Sequence, residues 1–242
     1  MSTYDAIAEE YRDSKQLSFR EHLERYTLFQ LLGDVRGKTV LDMACGEGFY
    51  TRLLKRAGAS EVTGVDISAE MIRLAEDQEA EQPLGCTYVR EDAAAFRPEV
   101  PVDLVVATYL FNYASTAEQL GRFCRACHGA LKPGGRLVGV NDNVRNVPPG
   151  TASLRKYGLE RSCPNPAAEG DVVRYTITNA DGHRFRFDNF YLKPETYGAA
   201  FHKAGFRGFR WVDLWLSPSQ RGNPFWDDFL NNPPVAAFTA SR

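Results

Sequence analysis

Acidic residues follow short apolar runs at three places in the first hundred residues of this 242-residue chain. Asp42, Asp66 and Asp92 each lie at or just after the end of such a run. Apolar runs of this length, bounded by turn residues, are typical of strands buried on both faces of a parallel sheet. The carboxyl ends of parallel strands meet at one edge, so we expect the three carboxylates to face one ligand-binding crevice. The same crevice should receive the stretches 108–112 and 141–143, which follow the fourth and fifth predicted strands.

Two glycines, Gly46 and Gly48, lie between Asp42 and the start of a predicted helix. Glycine allows a sharp turn and lets a ligand approach main-chain atoms, and the first N–H groups of the helix are unpaired. Asp66 lies 20 residues beyond Gly46, where a carboxylate can bind a ribose diol, and Asp42 could accept hydrogen bonds from an ammonium group. A G-x-G pair alone is common in tight turns, so the prediction of a nucleoside site depends on the whole series.

This series, D-x-x-x-G-x-G, V-D-I-S and E-D-A, resembles that of the class I S-adenosylmethionine-dependent methyltransferases. The resemblance implies a Rossmann-like, seven-stranded α/β sheet, S-adenosylmethionine as methyl donor, S-adenosylhomocysteine as product, and N-terminal helices that close over the cofactor. Tyr11 and Arg20 are candidates for contacts with the cofactor under these helices, Arg20 with its carboxylate, although a core tyrosine and a surface arginine explain them nearly as well. Ile67 and Met71 are well placed to enclose the adenine, although core packing explains them equally well. The expected cofactor-binding residues are Tyr11, Arg20, Asp42, Ala44, Cys45, Gly46, Gly48, Tyr50, Asp66, Ile67, Met71, Glu91, Asp92, Ala93, Thr108 and Tyr109.

Strands that alternate with helices predict one doubly wound α/β domain over 1–242. We expect a helical lid over 1–36, a cofactor-binding core over 37–141, a substrate-cap insertion over 142–192, and the last part of the sheet over 193–242. Within the insertion, 142–171 is predicted to be a long irregular connection. The alternating stretches on either side of Asp181 and Gly182 predict a β-hairpin.

Aromatic and amide side chains, with no catalytic triad, collect at the expected acceptor end of the crevice. No catalytic residue is certain from the sequence, and Tyr109 and Asn112 are candidates for orienting the acceptor. The expected substrate-binding residues are Phe19, Phe111, Asn112, Asn141, Asn143, Tyr191 and Trp215. Such a lining suits a flat, neutral heteroaromatic held by stacking and amide hydrogen bonds, although core packing explains each aromatic singly. N-methylation of a small heterocycle is therefore expected, with O-methylation of a carboxylate or phenol as the alternative.

Composition limits the partners. A net charge of −2 gives no electrostatic footprint for nucleic acid, and no apolar run is long enough to cross a bilayer. The polar start does not resemble a signal peptide, and five cysteines without secretion signals favour reduced thiols, so a cytoplasmic location is expected. No coiled-coil seam or self-complementary strand is evident; the oligomeric state is open, with a monomer slightly favoured.

Four other interpretations have weaker support. Cys124, Cys127 and His128 match the C-x-x-C-H pattern of haem attachment, but apolar residues at helical spacing predict that both thiols lie on a buried helix face. The four histidines are scattered without metal-ligand spacing, so no metal is expected. A nicotinamide-dependent dehydrogenase would need a third glycine after Gly46 and Gly48, which is missing. A non-catalytic cofactor-binding module remains open.

Overall fold

The computed structural model describes residues 3–146 and 150–242. Its helices are α1 (Ala8–Asp13), α2 (Tyr26–Leu32), α3 (Phe49–Arg56), α4 (Ala69–Glu81), α5 (Ala117–Ala130), α6 (Pro194–Lys203) and α7 (Asp227–Asn231). Its strands are β1 (Thr39–Met43), β2 (Glu61–Asp66), β3 (Thr87–Arg90), β4 (Val102–Thr108), β5 (Leu131–Asp142), β6 (Gly150–Leu154), β7 (Leu159–Cys163), β8 (Val172–Thr178), β9 (Arg184–Phe190), β10 (Arg207–Val212) and β11 (Val235–Ser241).

The main sheet has seven strands in the order β10-β11-β5-β4-β1-β2-β3. Strands β1 to β5 pair in parallel, and β11 runs antiparallel to both β5 and β10. The strand order reverses between β1 and β4, which creates a crevice beyond their carboxyl ends. This architecture confirms the seven-stranded α/β sheet predicted from the sequence.

Two helices precede the sheet, as the sequence predicts. A π-helical segment, Arg20–Arg25, leads directly into α2, which ends at Gly33. A π-helical turn is rare and is found mostly at functional sites. Here it carries two buried charged side chains, Arg20 and Glu24, into the protein interior.

The insertion forms a second, four-stranded antiparallel sheet in the order β6-β7-β8-β9, which we call the cap sheet. The hairpin of β8 and β9 agrees with the sequence, but the irregular connection predicted over 142–171 was wrong because β6 and β7 lie there. Alternate residues of β7 are buried, among them Arg161, whose guanidinium donates hydrogen bonds to the carbonyls of Asn146 and Pro234. Because the charged Arg161 occupies a buried position of β7, this segment lacks the alternation of apolar and polar residues that would mark a strand in the sequence. Residues 147–149 lie outside the described chain.

The cap sheet and the N-terminal helices meet over the crevice. The Tyr11 ring packs edge-on against Phe187 at 5.9 Å between centroids, and Asn179 Nδ2 donates a hydrogen bond to the Glu10 carbonyl. Contacts of this kind join elements that are far apart in the sequence. Together they enclose the carboxyl ends of β1 and β4.

Two further predictions are settled by the fold. Cys124 and Cys127 are fully buried on α5, as the interpretation of the C-x-x-C-H pattern requires. The sequence also predicts a strand over 209–216, but β10 ends at Val212 because the next segment turns towards α2, where the Trp215 N–H donates to Thr27 Oγ1 at 2.7 Å. Trp215 consequently lies in a loop with 44% of its surface exposed.

Candidate functional site

A cavity of about 600 Å³ lies beyond the carboxyl ends of the parallel strands; we call it the large cavity. It extends from the glycine turn to the cap sheet. Ten residues expected from the sequence to bind the cofactor line it: Tyr11, Ala44, Cys45, Gly46, Asp66, Ile67, Met71, Asp92, Ala93 and Thr108. The structure therefore brings residues from five separate segments of the chain to one cavity.

The glycine turn is held against the end of β2. Asp66 accepts hydrogen bonds from the N–H of Gly46 at 2.8 Å and from the N–H of Ser68 at 2.9 Å. The Asp66 side chain is only partly buried, and each carboxylate oxygen keeps an unused lone pair. Ala44 adopts a positive φ of 62°, which is costly for a residue with a Cβ and is found mostly at functional sites. The turn is thus fixed with Asp66 still able to accept from a ligand.

Asp42 lies beneath this turn and is fully buried. Its Oδ2 accepts a hydrogen bond from Thr51 Oγ1 at 2.7 Å, whereas its Oδ1 has no partner among the described residues. Burial raises the pKa of Asp42 from 3.8 to about 7, while the Thr51 hydroxyl and the nearby Lys15 act in the opposite direction. An ionised carboxylate at this position would be stabilised by a cation in the large cavity.

Other residues expected to bind the cofactor do not line the large cavity. They are Arg20, Asp42, Gly48, Tyr50, Glu91 and Tyr109. Gly48 begins α3 with a φ of 82°, and a Cβ at this position would come within 2.5 Å of the Tyr88 hydroxyl. The glycine at position 48 therefore allows the turn to adopt its backbone conformation and allows Tyr88 of β3 to pack against it.

Arg20, Tyr50 and Tyr109 converge on Glu24, a fully buried residue that the sequence analysis did not identify. Arg20 Nη1 donates to Glu24 Oε2 at 3.1 Å, the Tyr50 hydroxyl donates to Oε1 at 2.5 Å, and the Tyr109 hydroxyl donates to Oε2. Glu24 thus satisfies three donors in the interior and holds the N-terminal helices against α3 and the end of β4. The sequence contained only a weak sign of it, an Arg-Glu pair at i and i+4, which usually lies on a surface.

Lys15 is a second residue that the sequence analysis missed. It lines the large cavity, and its ammonium lies 4.8 Å from the centre of the Tyr11 ring. Arg20 is neutralised by Glu24, so Lys15 is a cation of the N-terminal segment that faces a ligand in this cavity. No local pattern marks it, because a lone lysine after a short helix is ordinary on a surface.

A second, small cavity of about 20 Å³ lies deeper, between the N-terminal helices, β5 and the cap sheet. Phe19, Arg20, Tyr109 and Asn112 line it. Six other residues line it from β5 and the cap sheet: Asp142, Leu159, Tyr175, Ile177, Phe187 and Asn189. Of the residues expected to bind the substrate, it brings together Phe19 and Asn112.

The remaining expected substrate residues do not line either cavity. Phe111 packs in the core against Phe201, at 5.1 Å between ring centroids. Asn141 accepts the Asn112 N–H and donates to the Tyr197 hydroxyl, and Asn143 donates to a loop carbonyl. Tyr191 and the half-exposed Trp215 also lie elsewhere. The buried amides of Asn141 and Asn143 therefore hold the end of β5 in place.

The two cavities share a wall of three aromatic residues, Tyr11, Tyr113 and Phe187. Phe187 stacks on Tyr175 with ring centroids 5.4 Å apart and ring planes 7° apart. A ligand in the large cavity and one in the small cavity would thus contact the same three aromatic residues.

Across residues 3–146 and 150–242, no three His, Cys, Asp or Glu side chains converge in a way that could hold a metal ion. None of the helices in the described segments has the length and apolarity that crossing a membrane requires.

Part of the chain is similar to known methyltransferases. Residues 40–135 match a family described as a methyltransferase domain. The chain is 26% identical over 148 residues to a ubiquinone biosynthesis O-methyltransferase of Photorhabdus laumondii, covering 54% of this chain and 60% of that protein. It is 23% identical over 167 residues to an N-demethylindolmycin N-methyltransferase of Streptomyces griseus, covering 69% and 68%. Several curated relatives are matched over only half to three fifths of their length, 49% and 60% in two cases.

A solved structure has the same fold. It is a SAM-bound amino pentose methyltransferase from Micromonospora echinaspora, involved in calicheamicin biosynthesis. The TM-score is 0.65 at 21% identity, with 100% of this chain and 97% of the other covered. At 21% sequence identity, the similarity between the two proteins shows that they share a fold.

The residues that line the large cavity fit S-adenosylmethionine. The volume of the large cavity lies in the range of cofactor-binding sites. Ile67, an apolar residue with 57% of its surface exposed, offers a face for a base to cover, and Met71 lies beside it. Asp66 can accept from ribose hydroxyls, and the unpartnered Oδ1 of Asp42 favours a cation nearby. Residues 40–135 therefore match a methyltransferase domain, and the chain as a whole shares its fold with a SAM-bound methyltransferase.

Proposed function

We propose that the protein is an N-methyltransferase that methylates ring nitrogens of a small planar heteroaromatic, a demethylated azapteridine of the toxoflavin type. The observation that carries the proposal is the pair of adjacent cavities with a shared aromatic wall. Aromatic rings stack on flat heterocycles, and the amides behind them can bind ring nitrogens and carbonyls.

A sequence resemblance supports this substrate class. The N-terminal stretch Y-D-A-I-A-E-E-Y-R-D-S-K-Q-L-S-F-R-E-H and the stretch G-V-N-D-N-V-R-N-V-P-P-G resemble those of the N-methyltransferase of toxoflavin biosynthesis. The first stretch contains Tyr11, Lys15 and Phe19, which line the two cavities. The resemblance therefore includes side chains that would meet the acceptor, beyond those that the whole family shares.

The chain's own contribution to methyl transfer is alignment and exclusion of water. S-adenosylmethionine supplies a methyl group on an activated sulfonium carbon. Tyr11 and Phe187 would hold a planar acceptor at the cavity wall, and Tyr109, fixed through Glu24, would limit its position at the end of β4. Orientation of two reactants can contribute roughly 7–11 kcal/mol to lowering a barrier. Acidic ring N–H groups can ionise without a strong base, so we assign no general base.

Methyl transfer to 1,6-didemethyltoxoflavin is the direct test. We expect S-adenosylhomocysteine to form, and the product to gain the mass of one and then two methyl groups. Matched reactions with phenols and simple carboxylic acids should give no product. Methylation of only those oxygen acceptors would replace the proposal with O-methylation, the reaction named for the ubiquinone-pathway relatives. If Asn112→Ala left turnover of the heterocycle unchanged, the placement of the acceptor beside the small cavity would be wrong.

A further inference from the structure

Lys15 lies at the large cavity among aromatic rings that hold its charge in one place. It belongs to the short turn Ser14–Gln16 after α1 and is half-buried. Its ammonium lies 4.8 Å from the centre of the Tyr11 ring, 5.5 Å from that of Tyr50 and 5.8 Å from that of Phe49. Each distance is within the range of a cation–π attraction. Rings from two separate segments of the chain therefore fix the position of this cation.

The hydrogen-bonding capacity of this ammonium is not used by the protein. A lysine ammonium carries three N–H donors. In the described parts of the chain, no carboxylate or carbonyl oxygen lies within hydrogen-bond distance of Lys15 Nζ. The aromatic rings attract the charge, but they leave these donors available to an anion in the large cavity.

Arg20, the sequence-based candidate for binding the cofactor's carboxylate, is occupied within the protein. It has 3% of its surface exposed, its Nε donates to the Ser14 carbonyl at 3.1 Å, and its guanidinium pairs with Glu24. Arg20 lines the small cavity and not the large one. Its hydrogen bond to Ser14 holds the turn that carries Lys15, so Arg20 supports Lys15 and is not itself presented to the cofactor.

Asp42 relates Lys15 to the amino-acid end of the cofactor. The Lys15 charge opposes the rise in the pKa of Asp42 that burial causes, so the two side chains are close enough to interact. The unpartnered Oδ1 of Asp42 favours the cofactor's ammonium nearby. In S-adenosylmethionine the ammonium and the carboxylate are bonded to the same carbon. A cation close to Asp42 is therefore also close to the place of the carboxylate.

The other cations that line the large cavity belong to α5 and the cap sheet. They are Arg122, Arg174 and Arg186. Arg174 is paired with Asp188 at 2.8 Å. The groups with the largest effects on the pKa of Asp42 include Lys15 and none of these arginines. Lys15 is thus the best placed of the four cations to meet a carboxylate that lies beside Asp42.

We propose that Lys15 binds the carboxylate of the cofactor, so that the zwitterionic end of S-adenosylmethionine lies between Asp42 and Lys15. Lys15 then selects nucleosides that carry the carboxylate against those that carry only the ammonium. The inference concerns the cofactor and does not depend on which acceptor the enzyme methylates.

Binding of two nucleosides, measured by calorimetry, tests this assignment. S-adenosylhomocysteine has the ammonium and the carboxylate, whereas S-adenosyl-3-thiopropylamine has the ammonium and no carboxylate. Because a charge-assisted hydrogen bond is lost with the carboxylate, we expect the unmodified protein to bind S-adenosylhomocysteine about ten- to a hundredfold more tightly. In Lys15→Met this preference should disappear through weaker binding of S-adenosylhomocysteine. Affinity for the amine should fall by no more than about twofold.

Three further variants complete the test. Lys15→Gln keeps a polar side chain in the turn and should lose the preference as Lys15→Met does. Lys15→Arg keeps the charge and should retain part of the preference. Arg186→Met is the matched control, because it removes a cation from another part of the wall of the large cavity. It should keep the full preference for S-adenosylhomocysteine.

Several results would overturn the assignment. Equal affinity of the unmodified protein for the two nucleosides would exclude a cation at the carboxylate. Equal weakening of both ligands in Lys15→Met and Lys15→Gln would show that Lys15 only supports the fold of the site. A preference that survives in these two variants, or that Arg186→Met abolishes, would place the carboxylate elsewhere. Methylation of 1,6-didemethyltoxoflavin by the unmodified enzyme tests the proposed function separately.

Discussion

Replacing Asp42 with Asn should stabilise the ligand-free protein at alkaline pH. Asp42 is fully buried, only one of its oxygens has a partner, and burial raises its pKa from 3.8 to about 7. The folded protein therefore binds this proton more tightly than the unfolded chain does. The stabilisation that the proton provides is complete below pH 3.8 and is lost as the pH rises through about 7.

The magnitude follows from the shift in pKa. At about 1.4 kcal/mol per pKa unit, the rise from 3.8 to about 7 corresponds to roughly 4 kcal/mol of unfolding free energy. Asn has no ionisation to suppress and can still accept the hydrogen bond from Thr51 through its amide oxygen. We therefore expect Asp42→Asn to exceed the unmodified protein by up to about 4 kcal/mol at pH 8. For a domain of this size that corresponds to a melting temperature higher by about 10 °C.

Unfolding by urea or heat between pH 4 and 8 measures this difference. The relevant quantity is the stability of Asp42→Asn minus that of the unmodified protein, which should increase through pH 4 to 7. Asp103→Asn provides a control of opposite sign, because Lys132 and Thr39 lower the pKa of Asp103 to about 2. The stability that Asp103 contributes is present above its unfolded pKa and is lost on acidification. If the difference in unfolding free energy between Asp42→Asn and the unmodified protein does not change with pH, the reasoning is refuted.

Although Asp42→Asn should stabilise the ligand-free protein, it should weaken binding of the cofactor. If the ammonium group of S-adenosylmethionine lies near Asp42, its charge stabilises the ionised carboxylate in the complex. Asp42→Asn should then bind S-adenosylhomocysteine, which keeps the same ammonium, about tenfold more weakly at pH 8 by calorimetry. Equal affinity in the two proteins would place that ammonium elsewhere, for example too far from the unpartnered Oδ1.

Three further substitutions test the site. Glu24→Ala leaves Arg20 buried without its counter-ion and should destabilise the protein by about 3–5 kcal/mol in urea unfolding, whereas Glu24→Gln should lose less; equal losses would contradict a role for the charge. Gly48→Ala forces a Cβ against Tyr88 at a positive φ and should cost at least about 1–3 kcal/mol in thermal unfolding, a loss that Tyr88→Ala should partly relieve. Trp215→Ala should leave kcat and KM within about twofold, because this half-exposed side chain lines neither cavity; a large rise in KM would return Trp215 to the acceptor site.

The sequence by itself determined the elements and the main sheet. Apolar runs predicted the parallel strands, Gly46 and Gly48 marked the turn, and Asp181-Gly182 located the hairpin of the cap sheet. These signals are local, since they depend on the period of burial along one segment and on the backbone freedom of single residues. The edge of the sheet where a ligand would bind followed from the strand pattern alone.

Only the tertiary structure decided the partners of the buried polar groups. Arg20 and Glu24 are four residues apart and would form an ordinary surface pair in an isolated helix, yet packing places both in the interior beside Tyr50 and Tyr109. Asp142 likewise meets Asn189 across 47 positions of the sequence. Burial and the hydrogen-bond partners of a side chain depend on which elements pack around it. A local pattern therefore predicts a helix or strand but not the group that a buried charge will meet.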